Sequence, residues 1–192
     1  GVEATPELVA AEKPDALFVA LGAEPIIPKF PGAGPDRLVW AGDAEARPEK
    51  VGQSAVIAGA GMTGLELALS LARRGRSVTV IDLLPEEQIG QGGTPINLIA
   101  LRQLLKEAGV KILCSTRLVD VTAQGARIAR SDGAQETLPC DTVVLSLGSR
   151  PSEALKGQFE GLAPDVFFIG DCVRPATLWN ATKTAFEAAM RV

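Results

Sequence analysis

The sequence predicts an α/β fold, a parallel βαβ unit that carries a three-stranded antiparallel meander. Three observations predict it. Short strands rich in β-branched residues alternate with stretches of helical periodicity. A glycine cluster, Gly59-Ala60-Gly61-Met62-Thr63-Gly64, stands where a strand gives way to a helix. Further along, the turn dipeptides Gln124-Gly125 and Asp132-Gly133 separate three short alternating segments.

Taken in order, Ser54 to Ala58 reads as a short buried strand that ends at the glycines. From Met62 to Arg74 apolar residues recur at helical spacing, with Leu65, Leu69 and Ala72 on one face. Gly75 stands where a left-handed residue closes a helix. Ser77 to Asp82 is the second strand, which completes a right-handed βαβ unit. Residues 84–95, rich in Pro and Gly, read as a loop. A helix is expected from Ile96 to Ala108, with Ile96, Ile99, Leu104 and Leu105 inward and Gly109 as its stop. Val110 to Cys114 is a third strand. Arg117–Thr122, Ala126–Arg130 and Glu136–Leu138 then form the meander, inserted into the α/β sheet.

A repeat frames this unit. Asp15-Ala-Leu-Phe-Val-Ala-Leu-Gly22-Ala-Glu-Pro25 and Asp141-Thr-Val-Val-Leu-Ser-Leu-Gly148-Ser-Arg-Pro151 share one pattern: an acidic residue, a buried strand, a glycine and a proline. Two such segments point to two related domains ending on the same kind of strand. The glycine-rich βαβ unit lies between the copies, so the chain is expected to be a piece of a larger protein.

Composition narrows the function. The 192 residues are 46% hydrophobic and 22% charged, with a net charge of −4. That balance argues against a nucleic-acid surface or an anionic membrane surface, either of which calls for a basic stripe. No apolar run nears the roughly 18 residues of a membrane span, and the N-terminus has no signal-peptide pattern, so a cytoplasmic location is expected. Cys114, Cys140 and Cys172 form no C-x-x-C pair, which gives neither a redox motif nor a metal-ligand spacing. There is no His and no Tyr. The commonest acid/base side chain is therefore missing, and no catalytic residue is assigned.

The glycine cluster has the chemistry of a pyrophosphate cradle, in a Rossmann-like unit. Gly59 permits the tight turn, Gly61 removes a Cβ from the phosphate approach, and Gly64 lets helix and strand pack closely. The amides of Ala60, Met62 and Thr63 lie on the same turn, where a helix N-terminus offers free N–H groups. Asp82, 18 residues past Gly64, falls where a carboxylate bonds the adenosine ribose hydroxyls. A carboxylate there repels a 2′-phosphate, and Leu83 and Leu84 supply no Arg, so NADH is favoured over NADPH. Arg73, Arg74 and Arg76 are near enough in sequence to reach a phosphate, but they also read as cations at a helix C-terminus. Glu66 is expected in the first turn of the helix, where it would equally complement the macrodipole. Finally, Asp165-Val-Phe-Phe-Ile-Gly170-Asp171 delivers a carboxylate from a strand end, with a helix following from about Thr177 to Met190.

These features in this order resemble the flavoproteins with two dinucleotide-binding domains, the glutathione-reductase-like class in the broad sense. There an FAD domain is interrupted by an NAD(P)H domain. Ala20-Leu21-Gly22 matches the strand that ends the first FAD segment, and Gly59 to Glu66 matches G-x-G-x-x-G-x-E. Ser146-Leu147-Gly148 matches the closing strand, and Gly170-Asp171 marks the return to the FAD domain. The resemblance implies that Gly59, Gly61, Gly64 and Asp82 hold NADH, with Glu66 and Gly148 near the nicotinamide. It implies that Gly22 and Asp171 face the FAD, with Asp171 on the ribityl chain.

More narrowly, Thr5-Pro6-Glu7-Leu8, Lys13-Pro14-Asp15-Ala16, Ile26-Ile27-Pro28, Pro31-Gly32 and Gly170-Asp171-Cys172-Val173 resemble the multidomain old-yellow-enzyme-like reductases. That group includes 2-enoate reductase and 2,4-dienoyl-CoA reductase. Its members add a TIM barrel with FMN and an iron–sulfur cluster, all expected outside this chain. The expected organisation is a partial FAD segment and linker (1–50), an NAD(P)H domain (51–152) and a C-terminal FAD segment (153–192). The partners implied are the dinucleotide and the parent's FAD and barrel domains, with self-association left open. On its own the fragment is expected to be inactive. Two alternatives stay open: a module that holds ADP or NAD without catalysis, as in trimethylamine-dehydrogenase-like proteins, and a piece of a ferredoxin- or rubredoxin-reductase-like carrier.

Overall fold

The computed structural model describes residues 1–34 and 37–192, and its elements follow the hydrophobic pattern closely. In chain order they are α1 (Pro6–Glu12), β1 (Ala16–Val19), β2 (Glu24–Pro25), β3 (Leu38–Trp40), α2 (Ala41–Ala46), β4 (Ser54–Ala58), α3 (Met62–Arg73), β5 (Ser77–Ile81) and α4 (Pro95–Glu107). Then come β6 (Lys111–Leu113), β7 (Thr116–Thr122), β8 (Gly125–Arg130), β9 (Gln135–Pro139) and β10 (Thr142–Leu145). The chain closes with β11 (Ser149–Arg150), α5 (Glu153–Gly157), β12 (Asp165–Phe168) and α6 (Leu178–Ala189). Contacts divide it into two units, Ile27–Gly148 and Gly1–Ile26 with Ser149–Val192.

The larger unit is built on a five-stranded parallel sheet in the order β3-β10-β4-β5-β6. Its strands are apolar on both faces because both faces are covered. Ala55, Ile57, Val78, Val80 and Val144 meet the helices, in one core with Leu65, Ala68 and Leu71 of α3. The alternate residues Val56, Ala58, Ile81, Val143 and Leu145 meet Val121, Ala126 and Ile128 of the meander. The meander is a separate sheet, β7-β8-β9, antiparallel throughout, with a register shift between Leu118 and Asp120. As expected, it is inserted in the chain between β6 and β10, and it packs as a layer of its own on one face of the parallel sheet. The stretch read as linker supplies β3 and α2, and β3 pairs with β10 through Val39 and Val144.

The two long helices of the larger unit end as their glycines predict. After α3, Gly75 has φ +82°, its N–H bonds to Ala72 O at 2.9 Å, and Arg76 N–H bonds to Leu71 O at 3.1 Å. After α4, Gly109 (φ +72°) and Val110 repeat the pattern on Lys106 and Leu105. The inward face of α4 differs from the expectation. Ile96 and Ile99 are 71% and 66% exposed, while Leu101 and Leu105 are buried and Leu98 and Leu104 are partly so. At 100° per residue Ile96 stands opposite Leu105, so the two cannot share a face.

In the smaller unit β1 pairs in parallel with β12, and the Phe18 and Phe167 rings stack with centroids 5.2 Å apart. Both copies of the sequence repeat end alike. Gly22 (φ +71°) follows β1 and Gly148 (φ +83°) follows β10. The two-residue strands beyond them, β2 and β11, pair with each other, Pro25 opposite Ser149 and Glu24 opposite Arg150. Among the described residues no helix is long and apolar enough to cross a membrane.

Candidate functional site

The glycine turn between β4 and α3 is shaped by close backbone approaches. Gly59 has φ +112°, and a Cβ there would collide with Ser146 O. A Cβ on Gly64 would collide with Gly59 O. Packing within the chain thus explains both glycines. Gly61 is different: among the described residues no heavy atom lies within 4 Å of where its Cβ would be. It caps α3 with φ −68° and ψ 173°, and contributes no side chain to the cap. The helix therefore begins without a side-chain cap, and its first amide, Met62 N–H, makes only a long bond of 3.5 Å to Gln91 O, an arrangement that leaves donors for an anion.

Asp82 closes the turn from the end of β5. Its Oδ2 accepts from Ala60 N–H at 2.5 Å and its Oδ1 from Leu84 N–H at 2.8 Å. Its backbone is held as well, with Asp82 N–H on Leu113 O and Thr116 N–H on Asp82 O. The carboxylate is fixed in place, yet each oxygen keeps a free lone pair for a further donor. Beside it lies a largely apolar cavity of about 270 Å³, walled by Phe30, Ile81, Leu83, Leu118 and Leu147. Leu83 is 67% exposed at its rim.

The structure brings Gly59, Ala60, Gly61, Met62, Thr63, Gly64, Asp82 and Leu83 to one place, the C-terminal ends of the parallel strands. Gly148 stands two residues past Ser146, on whose carbonyl Gly59 packs, and is exposed. Glu66 corrects the expectation: it is the fifth residue of α3, exposed and outside the first turn, which holds no acidic residue. The macrodipole acts mainly on the first turn, so it gives little reason for this carboxylate. Arg76 is occupied elsewhere, donating to Val51 O at 3.0 Å and Pro48 O at 2.7 Å.

Gly22, Gly170 and Asp171 belong to the smaller unit. Gly170 (φ +66°) donates to Thr184 Oγ1 at 2.9 Å, and Asp171 Oδ1 accepts from Ala176 N–H at 3.3 Å. In contrast to α3, α6 is capped by its own Thr177 and Asn180.

Sequence reasoning missed Ser146 and the wall residues Phe30, Leu118 and Leu147. For Ser146 a signal existed, since it is part of the repeated strand. Leu147 shares that signal, whereas Phe30 and Leu118 come from segments far apart in sequence and nothing local marks them.

The sequence pattern of the pyridine nucleotide-disulphide oxidoreductases matches residues 7–189. The chain belongs to that family. Among curated relatives, a bilirubin reductase of Mediterraneibacter gnavus is 30% identical over 190 residues, covering 98% of this chain and 29% of that protein. An NADH oxidase of Thermoanaerobacter brockii is 27% identical over 197 residues, covering 100% and 30%. A 2-naphthoyl-CoA reductase, solved with 2-naphthoyl-CoA, superposes with a TM-score of 0.87 at 26% identity, over 99% of this chain and 29% of the other. The chain thus spans under a third of the length of these relatives. Its three cysteines are free. Burial pushes the Cys114 and Cys140 thiols above the usual thiol range, which keeps both protonated at neutral pH.

Proposed function

We propose that this chain is the NADH-binding portion of an FAD-dependent oxidoreductase, placing the nicotinamide for hydride transfer to flavin in an enoate-reductase-like relay. The observation that carries the reading is Gly61. Packing accounts for the two glycines beside it, while the space its Cβ would fill is open, directly before an α3 N-terminus that no side chain caps. A pyrophosphate placed there would meet the positive end of the helix dipole with no Cβ in its way. The ribose then falls to Asp82, fixed by Ala60 and Leu84, and the adenine to the apolar cavity beside it. One carboxylate with, among the described residues, no cation bonded to it supports NADH over NADPH. On the flavin side, Asp171 has one oxygen on Ala176 N–H, which leaves the other for a ribityl hydroxyl.

When both cofactors are bound, the reduced nicotinamide supplies a hydride and the flavin accepts it. The protein's part is orientation and exclusion of water, work that needs no His or Tyr. The likeness to a bilirubin reductase, an NADH oxidase and a 2-naphthoyl-CoA reductase, each about three times longer, supports a parent protein with further domains. FMN and an iron–sulfur cluster would belong to those domains, and the cytoplasm, with its NADH pool, is the fitting location.

Calorimetric titration of the chain with NADH, NADPH, NAD⁺ and ADP tests the reading. NADH binding more tightly than NADPH and more tightly than ADP is the expected result. Equal affinity for ADP and NADH would favour a module that holds the adenine nucleotide without presenting a nicotinamide.

A further inference from the structure

Between β5 and α4, Gly90-Gln91-Gly92-Gly93 forms a turn that leans on the glycine loop. Gly93 N–H closes it on Gly90 O at 3.3 Å. Gly92, its third residue, has φ +90°, and Gln91 is not among the residues of positive φ, which makes the turn type II. One end is anchored firmly: Gly90 N–H donates to Ala60 O at 2.7 Å, and the preceding Ile89 is buried. At the other end Gly93 lies against Met62, where a Cβ would stand 2.5 Å from its Sδ. The central peptide aims the Gln91 carbonyl at Met62 N–H, a long bond of 3.5 Å.

Met62 is the first residue of α3, and its amide is one of the donors that a phosphate at this helix would use. A carbonyl oxygen in that position has the wrong sign for a phosphate neighbour. We propose that the Gln91–Gly92 peptide flips when the dinucleotide binds, so that the Gln91 carbonyl turns away and Gly92 N–H becomes a further donor to the pyrophosphate. This rests on the dinucleotide reading given above.

The flip costs little in covalent geometry. Rotating the central peptide converts a type II turn into a type I turn, keeps the Gly93–Gly90 bond, and takes Gly92 from its present φ to about −90°. Glycine populates both signs of φ at similar energy. The Met62 bond that must break is the longest in the strap, while the short Gly90 bond keeps the turn in register. Among the described residues nothing lies within 4 Å of a Cβ on Gly92, so a substitution there acts on the backbone alone.

Gly92→Ala therefore disfavours the closed turn and leaves the open one unstrained. Calorimetry and stopped-flow binding of NADH to the 192-residue chain are expected to show a 5- to 30-fold tightening, about the factor a left-handed alanine costs the closed state. Gly133→Ala is the control, at φ +86° in the meander with equally open space, and should leave NADH affinity unchanged. In the wild-type chain the Gly92 amide proton should move downfield on saturation with NADH, a readout that needs no variant. Unchanged or weaker NADH binding by a cooperatively melting Gly92→Ala overturns the flip, as does an unmoved Gly92 amide in NADH-saturated wild type. A wild-type chain that binds none of NADH, NADPH and ADP overturns the dinucleotide reading and the flip together.

Discussion

The Asp82 carboxylate accepts the Ala60 amide at 2.5 Å, so the residue read as the ribose ligand also braces the turn on which the pyrophosphate would sit. Two roles on one side chain predict two separable losses. Asp82→Ala should weaken NADH about 10- to 100-fold, the scale of charge-assisted hydrogen bonds. It should weaken NADPH far less, because the carboxylate that repels the 2′-phosphate goes with it. Paired calorimetric titrations check this, and an unchanged NADH/NADPH ratio would remove Asp82 from the ribose.

The three glycines of the turn should part company under substitution. Gly61→Ala is expected to melt within a degree or two of wild type and to lose NADH binding. Gly59→Ala and Gly64→Ala should lower stability by at least about 2 kcal/mol, since each Cβ meets backbone that cannot give way. Thermal melts beside binding isotherms distinguish the two behaviours.

On α4, Leu105→Ala should cost about 2–5 kcal/mol, whereas Ile99→Ala should stay within about 0.5 kcal/mol. Denaturant midpoints at constant slope decide it.

Asp141 gives a pH dependence. Its carboxylate accepts Ser54 N–H and Ser54 Oγ, each at 2.8 Å, and these bonds hold its pKa below the ordinary 3.8. A depressed folded value means the contribution is complete above the unfolded pKa and fades as pH falls through the folded one. Asp141→Asn should therefore flatten the loss of stability below about pH 4 and leave the curve near pH 7 parallel to wild type, as read from melts across that range.

Much of this was legible in the sequence where the signal was local. The strand Ser54–Ala58, the helix from Met62, the stop at Gly75 and the meander turns all rest on neighbours in the chain. The α4 face is less legible, because its apolar residues run all round the helix and Ile96 falls on the far side from Leu105. Strand β3 escaped because three residues, Leu38–Trp40, are too few for a period, and only pairing with β10 makes them a strand. The strap at Gly90–Gly93 read as loop, since a positive φ and a carbonyl aimed at Met62 are consequences of folding and leave no local sequence signature.

The pairing of Glu24-Pro25 with Ser149-Arg150 has a practical consequence. The peptide leaves the smaller unit just after one of these strands and re-enters it just before the other, so exit and re-entry are neighbours. Residues 27–148 thus depart from and return to one paired ribbon of the smaller unit, which makes these two points the place to test exchange for a related module of different nucleotide preference.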